Sequence, residues 1–238
     1  MVLWVAAGVV LPTWAATAQA QMALSAAINV SGSFRALSQR MAKAYCQQHL
    51  QVMPVAALDV LAKVRKQAQA GAADLAKGST AGAWPADLSR QLEEVQKQYT
   101  VLNTLTATAP SKASAAAVAE QADRMMTAAQ TATESLEKLA RAPSAKLVNL
   151  AGRQRMLSQR MAKQYFLLAA GVDPKASQTQ MNADAAEFKQ ALKDLAAAPV
   201  STPAIRPELE LGQAQWLFFE AAMRRQPETK DLEAVATT

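Results

Sequence analysis

Only one cysteine and one histidine occur in this chain, Cys46 and His49. A lone thiol excludes an intrachain disulfide and any CxxC metal or haem motif. It reads as a small buried apolar residue. A lone histidine without clustered carboxylates supports neither a metal set nor a catalytic dyad, and His49 reads as a solvated helix-end residue. No nucleophile, base and orienting group fall into a catalytic pattern. No enzyme, cofactor or metal is therefore expected. Glycine is scarce, with 8 in 238 residues, and aromatic residues make up 5%. A chain poor in both and rich in alanine favours helices, and no alternating strand pattern appears. The net charge is +6 and the pI about 9.5. Acidic residues are nevertheless interspersed with the basic ones, without a long basic run or an aromatic-basic pattern. Nucleic acid is thus a disfavoured partner.

Residues 2–18 are apolar and small and lead to Ala18-Gln19-Ala20, an A-x-A cleavage pattern before Gln21. Residues 1–20 are read as a signal peptide, although no Lys or Arg precedes the apolar run and Pro12 interrupts it. The competing reading is a membrane anchor. No later stretch reaches the roughly 18 apolar residues that span a bilayer. The expected product is a soluble periplasmic protein.

One stretch occurs twice. Residues 28–46 read INVSGSFRALSQRMAKAYC and residues 148–166 read VNLAGRQRMLSQRMAKQYF, at an offset of 120. Repetition at that distance implies two copies of a domain-sized unit. The boundaries are placed at 21–142 and 143–238.

The apolar periodicity around the motif is helical. A first helix is expected from about Met22 to Val52, ending before Pro54. A second follows from Val55 to Gly78, then a loop at 78–82. A third starts at Pro85. The fourth, from Lys112 to Arg141, carries Val118, Ala122, Met125, Ala129, Ala132, Leu136 and Leu139 on one seam. Pro143 opens the helix with the second motif. Asp173-Pro174 makes a turn before the next helix, and Pro199, Pro203 and Pro207 punctuate a loop before the last strong one, which carries Ile205, Leu209 and Trp216. The fold class is all-α: two tandem antiparallel up-down bundles, the first of four helices, the second of three plus a short or truncated fourth.

Within the repeated helix, Gly32, Arg35, Gln39, Ala42 and Cys46 share one face. Gly in a helix costs roughly 0.5–1 kcal/mol against Ala, so Gly32 and Gly152 suggest close approach of another element. Arg35 and Arg155 lie three residues further on. Such an arginine either pairs with a carboxylate across the bundle or binds an anion through its planar fork. The residues leave both readings open. Arg40, Lys43, Arg160 and Lys163 are read as a solvated basic face.

The GRQRMLSQRMAK block resembles the signature of the PilJ-type, nitrate-sensor-like sensing domains. These form the N-terminal parts of type IV pilus chemotaxis transducers and the periplasmic parts of nitrate/nitrite sensor kinases. The resemblance covers both repeats and implies antiparallel four-helix bundles. It implies that an Arg three residues after a Gly holds an anion where first helices meet across a dimer axis, here Arg35 and Arg155. The nitrate sensors carry a Lys two positions before that Gly, where this chain has Val30 and Leu150. The implied function is a periplasmic sensory module that binds a small anion, such as nitrate or nitrite, and signals through a membrane receptor, sensor kinase or chemotaxis transducer. The expected ligand residues are Arg35, Arg155, Gly32, Gly152, Ser31, Gln39 and Gln159. The alternative is a non-catalytic structural or assembly protein of the envelope, with the motif used for packing.

Two expectations concern assembly. The two motif helices either pack together as an internal pseudo-dimer or belong to bundles strung end to end across Pro143. In the pseudo-dimer Arg35 and Arg155 face each other, and at 6 Å they repel by about 3 kcal/mol at an effective dielectric near 20. The tail after Gln226 looks too polar to cover Met181, Phe188, Leu192, Trp216 and Phe219. A partner or homo-oligomer, shifted helices of the first bundle, or further sequence beyond Thr238 would then have to cover that groove.

Overall fold

The computed structural model describes residues 13–80, 84–198, 206–225 and 227–237, of which the side chains before Leu24 and a few in the last strong helix are not described. Eight helices are described: α1 Thr13–His49, α2 Pro54–Thr80, α3 Ala86–Leu105, α4 Lys112–Ala140, α5 Pro143–Ala169, α6 Pro174–Ala197, α7 Arg206–Met223 and α8 Thr229–Ala236. Among the described residues there is no strand, and no helix is long and apolar enough to cross a membrane. Residues 1–12, most of the expected signal peptide, lie outside the described residues. Helix α1 starts at Thr13, ahead of the expected Met22, and continues through Ala18-Gln19-Ala20. The run is alanine-rich, and alanine has the highest helix propensity.

Local chemistry sets the boundaries. Ser111 caps α4 and exchanges hydrogen bonds with Ser114. Arg141 ends α4 in the left-handed region at φ 50°, and Pro143 opens α5. Asp173 caps α6 by accepting from the Ala176 amide. Two loop expectations need correcting. Helix α2 continues through Gly78 to Thr80. There the Trp84 ring covers Gly78, and its Nε1 donates to the Leu75 carbonyl at 3.0 Å. Pro207 belongs to the first turn of α7 rather than to a loop, a position where a missing N–H costs nothing. Pro199, Pro203 and Ile205 lie outside the described residues.

Helix α1 packs on α2, α4 and α5, and α3 packs on α4. In the second unit α5 packs on α6, while α7 meets α6 and α8. The motif helices therefore lie side by side, and the end-to-end alternative is excluded. They run parallel: Arg35 meets Asn149 at one level, and Cys46 lies within electrostatic reach of Lys163 further along. Helices α4 and α8 each reach across to the first helix of the other unit.

This placement overturns the solvated basic face. Residues 41–47 of α1 and 161–167 of α5 are buried without a break, because the side left polar in a single bundle is covered by the other unit. Lys43 and Lys163 are 1% and 0% exposed. Lys163 pairs with Asp123 of α4 at 2.6 Å, and Lys43 donates to the Ala236 carbonyl of α8 at 3.1 Å. Cys46 is buried as expected.

The uncovered groove of the second unit is also corrected. Met181, Leu192 and Trp216 are buried and Phe188 and Phe219 partly so. The Phe188 and Trp216 rings stack at 4.5 Å, with Phe219 tilted 6.1 Å from Trp216. The tail folds as α8 and buries Leu232 and Val235. Each such burial is worth about 1.5–3 kcal/mol.

Candidate functional site

Arg35 is fully buried where α1, α4 and α5 meet. Its Nε donates to the Gly32 carbonyl at 3.2 Å. Its Nη1 donates to Gln130 Oε1 of α4 and, at 2.8 Å, to Asn149 Oδ1 of α5. Its Nη2 donates to the Asn149 carbonyl at 3.3 Å. Every one of these acceptors is neutral. Among the described residues no carboxylate is within ion-pair distance. Glu137 and Glu134 stand one hydrogen bond further out, accepting from Asn149 and Gln130. Burial first, then Arg153 and Arg155, lower the Arg35 pKa to about 10, with Glu134 and Glu137 pulling the other way.

The glycines make this geometry feasible. A Cβ on Gly32 would stand 2.8 Å from Arg35 Nη2, and one on Gly152 would stand 2.9 Å from the same atom. The close approach expected from the repeated glycine is thus made by a guanidinium seated between the two helices. Arg155 repeats the pattern in reverse: its Nη2 donates to Asn29 Oδ1 at 2.7 Å. Each arginine reaches the asparagine of the other copy.

The remaining expected residues divide by side. Ser31 bonds Thr133 of α4 at 3.0 Å. Gln39 donates to Asp123 and to the Ala122 carbonyl. Both are committed to α4. Gln159 lies with the exposed Arg155 on the opposite side of the seam, where an open cleft of ≈ 370 Å³ also holds Arg40. The structure brings Gly32, Gly152, Arg35 and Arg155 together and leaves Ser31, Gln39 and Gln159 at the margins.

Asn29, Asn149 and Gln130 were not anticipated as partners. The asparagines were visible as repeated residues, whereas Gln130 on a distant helix left no signal. Burial pushes the Cys46 thiol up to about 12, and no cluster among the described residues could hold a metal.

Two parallel helices seat a buried cation between glycines, inside paired helical bundles. The comparison with protein families agrees. The family of type IV pili methyl-accepting chemotaxis transducer N-terminal domains (PilJ) matches residues 16–125 and 141–237. The chain belongs to this family and carries two tandem copies of its domain, a sensory and signalling module. Comparisons with curated proteins and with solved structures returned no match.

Proposed function

We propose that the chain is an exported periplasmic sensor that binds a small anion, such as nitrate or nitrite, at the α1–α5 seam and signals through a membrane partner. The supporting observation is Arg35: a buried guanidinium beside two further arginines, touched only by neutral oxygens. An anion there would offset the repulsion and accept from a bidentate fork. It would take over acceptor positions now filled by Asn149 and Gln130, loosening α5 and α4 from α1. Such a differential contact is what a ligand needs to shift a conformational equilibrium. Titration calorimetry with nitrate, nitrite and chloride is expected to show binding that Arg35→Gln abolishes, with circular dichroism confirming retained helicity. Undiminished binding in a folded Arg35→Gln chain removes Arg35 from the site.

The second reading is a non-catalytic structural or assembly role in the envelope. It is favoured by the protein acceptors, which already engage four of the five Arg35 N–H groups. An absence of binding by every small anion supports it.

A further inference from the structure

The cleft on the far side of the seam has a different chemistry from the Arg35 site. It lies between α1, α2 and α5, with Arg40, Gln67, Arg155, Gln159, Ser33 and Ser158 as its polar lining. No acidic residue lines it. Arg40 Nε is buried without a hydrogen-bond partner, and so is Gln159 Oε1. Unsatisfied buried polar atoms in a native fold ask for an explanation.

The second unit shows how these charges are neutralised elsewhere. Arg160, the equivalent of Arg40, is held by Asp184 through two nitrogens. Arg153, which the offset matches to the uncharged Ser33, pairs with Glu187. The 120-residue offset places Val64 and Gln67 of α2 where α6 has Asp184 and Glu187. Helix α2 thus omits both carboxylates beside the cleft, while the Arg40 charge is kept. The missing counter-charge is local to this face.

We infer that this cleft is a second anion site, distinct from Arg35, that takes a small organic carboxylate between Arg40 and Arg155. Its volume falls within the roughly 300–1,000 Å³ of sites for organic ligands and exceeds what a three-atom or four-atom oxyanion fills. Ala36 and Leu37 also line it and offer apolar contact to a carbon skeleton. Two guanidinium forks suit carboxylate oxygens. The serine hydroxyls already donate to the Val30 and Arg155 carbonyls, so the arginines and the glutamine amides are the donors left for a ligand.

The test is calorimetric titration of the full chain with succinate, acetate and nitrate. Succinate is expected to bind more tightly than nitrate. Arg40→Gln is expected to weaken succinate about tenfold or more, the scale of one lost charge-assisted contact. Gln67→Glu restores the acidic residue of the second unit at an exposed position and is expected to weaken succinate in the same way without loss of folding. Arg35→Gln leaves succinate affinity within about threefold, which separates this cleft from the seam. The inference is overturned if neither carboxylate binds at millimolar concentration, if Arg40→Gln and Gln67→Glu both bind succinate like the parent chain, or if nitrate alone shows the Arg40 dependence.

Discussion

Arg35 and Arg155 hold equivalent positions on α1 and α5, and each donates to the asparagine of the opposite copy. Arg35 is sealed under α4 by Gln130 and by the Ser31–Thr133 pair. Arg155 is exposed and opens onto the cleft beside α2. The flanking charges invert this order. In the second unit Arg153 and Arg160 are paired with Glu187 and Asp184 of α6. In the first, α2 provides no such carboxylates for Arg40. One side of the pseudo-dimer is closed by packing and the other is left open and cationic. Near-identical motifs acquire different roles from the helices laid over them.

The largest effect expected from removing one side's compensation is at Asp184. This carboxylate is 1% exposed and accepts from Arg160 and Gln180. Asp184→Val copies the first unit's Val64 and leaves Arg160 with neither a counter-ion nor the room of the open cleft. Breaking a buried pair by removing one partner costs about 3–5 kcal/mol. Denaturant unfolding should show a loss of that order. A loss below about 1 kcal/mol would mean that Arg160 escapes to water as easily as Arg40, and the contrast between the units would collapse.

Much of this architecture was legible in the repeat. The 120-residue offset, the seam of α4 and the prolines marked the helices and their two-copy order. Gly32 and Gly152 marked a close approach. Burial of Lys43 and Lys163 was not legible, because a helical wheel assumes one solvated face. A helix enclosed by two bundles has almost none, and its polar residues are then satisfied from distant chain positions such as Asp123 and Ala236. The aromatic closure of the second unit was missed for a related reason. Phe188 and Trp216 each look like half of an exposed groove until α6 and α7 are brought together. The different surroundings of Arg40 and Arg160 were present in the sequence as Val64 against Asp184. They acquired meaning only once α2 and α6 were known to flank equivalent arginines.

The buried lysines give the next contrast, through pH. Burial, then Arg40, lowers the Lys43 pKa from 10.5 to about 7. Burial also lowers that of Lys163, but Asp123 opposes the shift. Below about pH 7, Lys43 is protonated in folded and unfolded chains alike, and the cost of burying its charge is present in full. Between about 7 and 10.5 the unfolded chain alone holds the proton, so stability rises with pH across that window. Lys43→Met removes this rise. It should stabilise the chain by about 1–4 kcal/mol near pH 6, the range seen when buried charge gives way to apolar packing. The gain should shrink toward about pH 9.5 as wild type sheds the proton. Lys163→Met should gain less at low pH, because it strands the half-exposed Asp123. Unfolding curves at several pH values check both; a gain independent of pH would show that Lys43 stays charged throughout.

The smallest contrast lies in the asparagines that the arginines reach. Asn149 accepts from Arg35 through both its side chain and its backbone carbonyl, and its amide donates to Glu137. Asn149→Ala removes the side-chain acceptor from a fully buried guanidinium and severs the link to Glu137. Hydrogen bonds to charged groups contribute about 1.5–3 kcal/mol. Alanine returns up to about 0.7 kcal/mol through its higher helix propensity, so a net loss of about 1–2 kcal/mol is expected. Asn29 makes the equivalent bond to Arg155, but both residues are exposed and water replaces the lost acceptor. For Asn29→Ala the propensity gain then offsets the lost bond, and stability should stay within about 0.5 kcal/mol of wild type. Equal losses in the two variants, measured under one set of conditions, would show that Arg155 is as enclosed as Arg35 and that the seam is symmetric after all.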